Sequence, residues 1–315
     1  MSMKKYILGL LVMLMTLPMV GMESNWQTHF AYNSVEVIAN CPQEIYALAN
    51  GAIFSVNKTT EAMTLYNNKS GLHGTSVCFL MYDEEREQLL IMYSDGKMDI
   101  QYNGTMHYIS DLYNKRMTSS KKCNNITIHD KFAYLSMDFG IIVFDLEKHE
   151  FKETYYIGEE ASEVKVTDVM FYGDSIYAQT KNKNYSACIH DNVVDFHFWK
   201  VCTALPRPFD TKKGKEYTMQ DGDVWKVAGE KGVFRKFITG EEAYYLPDGP
   251  QVNTPYNMTF DRGRLYVVPG GRWANQNNAA GHIMIYENGE WLNITSKQIQ
   301  GITGKKALDF MNVIV

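Results

Sequence analysis

Ala133-Tyr134-Leu135-Ser136-Met137-Asp138-Phe139-Gly140-Ile141-Ile142-Val143-Phe144 holds two short apolar runs on either side of an Asp/Gly turn. Runs of this length, rich in aromatic and β-branched residues and punctuated by Asp and Gly, read as a pair of antiparallel strands. The pattern recurs. Upstream lie Ile45-Tyr46-Ala47-Leu48 with Ile53-Phe54-Ser55-Val56, and Leu90-Ile91-Met92-Tyr93 with Met98-Asp99-Ile100. Downstream lie Ile176-Tyr177-Ala178 with Ser186-Ala187-Cys188-Ile189, then Val224-Trp225-Lys226-Val227 with Val233-Phe234. Last come Leu265-Tyr266-Val267-Val268 and Ile283-Met284-Ile285-Tyr286.

Taking Tyr46, Ile91, Tyr134, Tyr177, Trp225 and Tyr266 as equivalent gives spacings of 45, 43, 43, 48 and 41 residues, with a mean of 44. Before several of these markers stands a short apolar run that ends in a turn, such as Val77 to Tyr82 or Val166 to Tyr172. After them come mixed-polarity runs such as Phe151 to Tyr156 and Trp291 to Ile294. A period of roughly 40–50 residues carrying about four short strands marks a β-propeller blade. A β-sandwich offers no reason for such a period, and a β-helix repeats over a much shorter one.

The expected fold is therefore all-β: a β-propeller of the seven-bladed type over residues 26–315, with six full blades and part of a seventh. Trp26-Gln27-Thr28-His29-Phe30 resembles the outer-strand segment Trp291-Leu292-Asn293-Ile294-Thr295 and is expected to supply the outer strand of the last blade. Phe310 to Val315 is expected to supply its innermost strand. The two strands between are missing, so the last blade is incomplete at the C-terminal end and the chain reads as a truncated or partial product.

Composition agrees with a folded soluble domain. Of 315 residues 45% are apolar and 21% charged, which argues against disorder, collagen and coiled coil. A net charge of -5 leaves no broad footprint for nucleic acid. Residues 1–22 read as a secretory signal peptide: Lys4 and Lys5 precede an apolar run from Ile7 to Val20. As a helix that run rises about 21 Å, short of the roughly 30 Å hydrocarbon core. The mature chain is thus expected in the periplasm or at the outer cell surface, with no membrane span. The cysteines Cys41, Cys78, Cys123, Cys188 and Cys202 form no metal-ligand pattern and read as buried free thiols, with a Cys188–Cys202 disulfide as the alternative.

Several stretches are more specific than the repeat. The entry Trp26…His29-Phe30-Ala31-Tyr32-Asn33, the run Gly71-Leu72-His73-Gly74 and the segment Ile91-Met92-Tyr93-Ser94-Asp95-Gly96-Lys97-Met98-Asp99-Ile100 resemble the N-terminal propeller of the PorZ family. So do Tyr134-Leu135-Ser136…Phe139-Gly140-Ile141 and Val268-Pro269-Gly270-Gly271-Arg272-Trp273. That family belongs to the type IX secretion system of Bacteroidetes and is related to two-component-regulator propellers. The resemblance implies a periplasmic or cell-surface, non-catalytic binding or scaffold protein. Its implied partners are a sortase, other type IX components, and the anionic lipopolysaccharide to which secreted cargo is attached. Family members carry a second propeller and a C-terminal β-sandwich, neither of which is expected within these 315 residues.

No catalytic constellation stands out: there is no Gly-x-Ser-x-Gly, no His-Glu-x-x-His and no Walker loop. No enzyme activity, cofactor or metal is expected. Asp83-Glu84-Glu85-Arg86-Glu87 reads as a solvated hairpin tip, and His29, His73, His107 and His282 as surface or turn positions. The segment singled out for binding is the long insertion from Pro269 to His282. Within it Arg272 suits a phosphate or carboxylate, Trp273 a sugar ring or protein surface, and Asn275, Gln276 and Asn277 offer paired donors and acceptors. The competing reading is a structural loop whose Trp packs on a neighbouring blade. Two other functions stay open: a ligand-sensing periplasmic propeller of a two-component sensor, and a propeller glycosidase or lyase.

Overall fold

The structure, a computed structural model, describes residues 27–271 and 278–314. The expected signal peptide lies outside them. Among the described residues no helix is long and apolar enough to cross a membrane.

Among the described residues twenty-four strands form six four-stranded antiparallel sheets, each built from four strands consecutive in the chain. Blade one comprises β1 (Val35–Asn40), β2 (Glu44–Ala49), β3 (Ala52–Asn57) and β4 (Met63–Tyr66). Blade two comprises β5 (Val77–Asp83), β6 (Gln88–Tyr93), β7 (Met98–Tyr102) and β8 (Thr105–Ile109). Blade three holds β9 (Cys123–His129), β10 (Phe132–Met137), β11 (Gly140–Asp145) and β12 (Glu150–Tyr155). Blade four holds β13 (Val166–Tyr172), β14 (Ser175–Thr180), β15 (Asn184–Cys188) and β16 (Lys200–Cys202). Blade five holds β17 (Glu216–Thr218), β18 (Val224–Val227), β19 (Val233–Lys236) and β20 (Glu242–Tyr245). Blade six holds β21 (Asn257–Asp261), β22 (Arg264–Val268), β23 (Ile283–Glu287) and β24 (Glu290–Ile294). This is the all-β propeller architecture that the repeat predicts, and every marker residue sits in the second strand of its blade.

Burial follows position within the blade. The six residues of β6 and of β11 are all buried, whereas β4 and β12 are mostly exposed or half-exposed. Middle strands have a neighbouring blade on both faces, so they read as continuous apolar runs, while outer strands keep a solvated face. The tight turn into the third strand uses glycine where another blade element comes close. A Cβ on Gly140 would stand 2.3 Å from the Tyr155 carbonyl oxygen, and one on Gly232 would stand 2.1 Å from that of Tyr245. Both glycines have positive φ and stand at the start of the third strand of their blades, Gly140 as its first residue and Gly232 just before it, so one device serves blades three and five.

The inner strands β1, β5, β9 and β13 pack side by side in chain order. Each carries one β-bulge near its start, at Glu36, Cys78, Asn124 and Thr167 respectively. The third residue after the bulge pairs with Tyr46, Leu90, Tyr134 and Tyr177 in the four blades. The structural marker of blade two is therefore Leu90, one residue before Ile91, and it stands 44 residues from both neighbouring markers.

Blade five returns against blade one. Val35 N–H donates to Gly229 O at 3.1 Å and Ile38 N–H to Gly214 O at 2.7 Å. Trp225, Val233 and Tyr245 share a buried cluster with Tyr32, Ile45, Phe54 and Val56. Arg235 closes this seam. Its guanidinium pairs with Asp223 at 2.7 Å, donates to Lys58 O at 2.9 Å, and lies 4.8 Å from the Trp225 ring and 4.0 Å from that of Phe237. The blade spacing alone does not say which sheet meets blade one. Burial of the Trp225 face decides it.

The segments expected to contribute strands to a seventh blade enter no ladder among the described residues. His29 instead packs its ring on Tyr286 and Trp291 of blade six, at 4.7 and 5.5 Å, and meets Trp291 Nε1–H at 3.2 Å. Ala31 and Asn33 are hydrogen-bonded to Asn253 and Gln251, so the N-terminal segment ties blade one to the connection leading into blade six. At the other end, Leu308 and Phe310 make single bridges to Ala280 and Gly270.

Candidate functional site

The four bulges converge on one cavity. Glu36, Cys78, Asn124 and Thr167, one from each inner strand, line a space of about 660 Å³. A bulge leaves its extra residue out of the ladder and re-aims its side chain, which is how four strands of different sequence turn four side chains to one place. The surrounding wall mixes apolar Val37, Phe79 and Phe209 with polar Asn125 and Gln179.

The connection from β16 to β17, residues 203–215, runs against the inner strands of blades one, three and four. Its anchor is Lys213, whose ammonium donates to Asp168 Oδ1 at 2.5 Å and to Thr127 Oγ1 at 2.8 Å, joining blades three and four. The Asp168 side chain is 8% exposed and that of Lys213 19%, so the pair is largely withdrawn from water. Thr127 Oγ1–H in turn donates to Val169 O at 2.7 Å. Phe209 is buried, and Arg207 donates to Phe171 O at 3.3 Å. On the far side of this segment is a second cavity of about 430 Å³, reached past His129, Phe171 and Arg207. Asp168, Phe209 and Lys213 line both cavities, so the ion pair stands in the wall between them.

The rim of the larger cavity has its own electrostatics. Asp138 is held by Lys165 at 2.7 Å and Asn124 Nδ2 at 3.0 Å. Burial disfavours its charged form, yet hydrogen bonds from Lys165, Ser120 and Asn124 outweigh that and lower its pKa. Burial pushes the Cys78 thiol up to about 11 and raises that of Cys123 well above its ordinary value, so both stay protonated and weakly nucleophilic at neutral pH. All five cysteines are free. The alternative Cys188–Cys202 disulfide is excluded by register: Cys202 lies opposite Asn184, four residues from Cys188.

Arg272, Trp273, Asn275, Gln276 and Asn277 lie outside the described residues. The flanks of their insertion are firmly held. The Asp309 carboxylate accepts the N–H groups of Asn278 at 3.1 Å and Ala279 at 2.9 Å, while Gly270 and Gly281 donate to Phe310 and Ala307, both at 2.8 Å. His282, expected at the surface, is 8% exposed, and its Nδ1 accepts Ser296 N–H. It lines a further cavity of about 670 Å³ with Tyr32, Asp248 and Asn293, between blade six and the connection from blade five.

The bulge cavity was not singled out by sequence reasoning. A usable signal existed: Lys122, Lys165 and Lys215 each stand immediately before the first residue of an inner strand.

With six consecutive four-stranded sheets and a bulged inner strand in blades one to four, the comparison with known families is specific. Residues 45–200 match the family described as the N-terminal β-propeller domain of PorZ, of the type IX secretion system. This stretch of the chain is similar to the PorZ N-terminal propeller family. Porphyromonas gingivalis PorZ, described as an essential bacterial surface component of that system, superposes with a TM-score of 0.72 at 22% identity. The match covers 91% of this chain and 48% of PorZ, so the chain spans about half the length of that protein. The extracellular domain of a putative one-component system from B. thetaiotaomicron is similar at 13% identity and a TM-score of 0.42, over 86% of this chain and 35% of the other. No curated protein sequence matches the chain. The matched region, residues 45–200, runs from β2 of blade one to the start of β16 in blade four and so contains the three bulges at Cys78, Asn124 and Thr167, together with Asp168.

Proposed function

We propose that this propeller is a non-catalytic docking module of a type IX secretion apparatus, exported to the periplasm or cell surface. There it supports sortase-linked attachment of secreted cargo to anionic lipopolysaccharide. The observation that carries the reading is the PorZ family match over blades one to four. Two further features support it. The buried carboxylates are committed to the scaffold: Asp99 to Tyr93 and His73, Asp168 to Lys213, and Asp223 to Arg235. The cavities open between blades, where a rigid scaffold presents recognition surfaces.

The test is capture of the sortase and of anionic lipopolysaccharide by the purified chain, with its fold verified by circular dichroism. Retention of either partner above a matched, unrelated propeller is expected. A folded chain that retains neither overturns the proposal.

A further inference from the structure

We propose that the bulge cavity is an anion site, recognising a phosphate or carboxylate group through Lys122 and Lys215. This assigns a site and a ligand chemistry that the docking role does not require.

Lys122, Lys165 and Lys215 stand directly before β9, β13 and β17, the first two at equivalent positions of their blades. Lys165 is spent on Asp138 at 2.7 Å. Lys122 and Lys215 both line the cavity, both are exposed, and among the described residues neither has a carboxylate within ion-pairing distance. The third cation of the cavity, Lys213, is neutralised by Asp168 and serves as the wall.

Asn124 Nδ2 is taken by Asp138 and Val166 O, but the other two amides of the cavity have their acceptors occupied and their donors free. Asn125 Oδ1 accepts Ile126 N–H at 2.8 Å, which leaves its NH2 group for a ligand. Gln179 Oε1 accepts the Thr167 hydroxyl at 3.2 Å, which leaves Nε2 in the same way. Of the other carboxylates present, Asp210 accepts Lys212 N–H of its own loop at 2.9 Å, and Glu36 is the bulge residue of β1. Two ammonium groups and two amide donors around one cavity fit a compact anion, because charge-assisted hydrogen bonds are stronger and shorter than neutral ones. Phe79, Val37 and Phe209 leave an apolar floor for the body to which the anion is attached.

Equilibrium dialysis of the full chain at low ionic strength, with inorganic phosphate in one arm and citrate in the other, tests the site. Saturable binding in at least one arm is expected, and the arm that binds tells phosphate from carboxylate. A Lys122→Gln/Lys215→Gln double variant is expected to weaken it about tenfold or more. The outer-strand variant Lys148→Gln/Lys152→Gln removes the same charge and is expected to bind as the parent does. Urea midpoints matched to the parent show that each variant is folded. Absence of saturable binding in both arms, or equal loss in the two double variants, overturns the proposal. Neither probe involves a sortase or lipopolysaccharide, so this result and that of the docking test are independent.

Discussion

The Tyr93 hydroxyl donates a 2.5 Å hydrogen bond to Asp99 Oδ2 inside blade two. Asp99 is fully buried, and the same carboxylate accepts His73 N–H at 2.9 Å, with His73 Nδ1 2.9 Å from its other oxygen. Two stretches that resemble the PorZ family in sequence, 71–74 and 91–100, are thus one structural unit. Gly74 lets the chain pass directly over the Tyr93 ring, where a Cβ would come within 2.5 Å.

Asp99→Ala is expected to cost about 3 kcal/mol, because it strands a buried hydroxyl and a backbone donor. Tyr93→Phe removes a single bond and is expected to cost less, about 1–2 kcal/mol. Urea unfolding of both variants measures the difference. A stability for Asp99→Ala equal to that of the parent contradicts the staple.

Lys213→Met leaves Asp168 charged and unpaired in the wall of two cavities. The expected loss is about 3 kcal/mol, with faster proteolysis between residues 203 and 212. Adding Asp168→Asn is expected to restore part of the stability, since the uncompensated charge goes with it. Strict additivity of the two changes would argue against a direct pair.

Gly140→Ala and Gly173→Ala separate backbone strain from collision. Both glycines have positive φ, but the Cβ at position 173 meets nothing within 4 Å, whereas that at position 140 meets the Tyr155 carbonyl oxygen. Gly173→Ala is expected to cost about 1 kcal/mol and Gly140→Ala at least about 2 kcal/mol. Thermal midpoints rank the two, and the reverse order would refute this account of the turn.

Stability is expected to fall as the pH drops from neutrality. Burial lowers the pKa of His29, His149 and His282 from the ordinary value of 6.5, and in the first two nearby charges act second. A group depressed in the folded state stabilises above its unfolded pKa, and that contribution is lost as the pH falls below about 6.5. A second loss follows below the ordinary carboxylate value of 3.8, where Asp138, Asp145 and Asp223, all lowered on folding, take up protons. Urea midpoints between pH 7.5 and 5, in steps of about 0.5, trace the first loss. His149→Gln and His282→Gln are each expected to flatten the curve, and an unchanged slope in both would assign the titration elsewhere.

Much of the fold was legible because its signals are local. Gly/Asp turns and strand-length apolar runs place Tyr46, Tyr134, Tyr177, Trp225 and Tyr266 in the second strand of their blades without knowledge of any neighbour. The slip from Leu90 to Ile91 came from a run of consecutive apolar residues, Leu89 to Met92, all buried, in which alternation sets no register. The bulges escaped notice for a different reason. Glu36, Cys78, Asn124 and Thr167 share no side-chain chemistry, because a bulge is set by ladder hydrogen bonds rather than by residue type. His282 looked like a loop residue and is buried, because the flanks of its insertion are clamped by residues 307–310, which no local pattern connects to it.

The amino-acid sequence by itself determined the six full blades found among the described residues, their antiparallel order and the strand that each marker occupies. Turn chemistry and the burial of successive side chains act over a few residues, so they can be read without the rest of the chain. The tertiary structure alone decided that blade five meets blade one, that residues 203–215 pack against the inner strands, and that four bulges share one cavity. Those outcomes depend on which apolar faces and which charges, such as Lys213 and Asp168, meet across 45 residues or more. Such meetings follow from how the sheets curve together, and no repeat spacing encodes them.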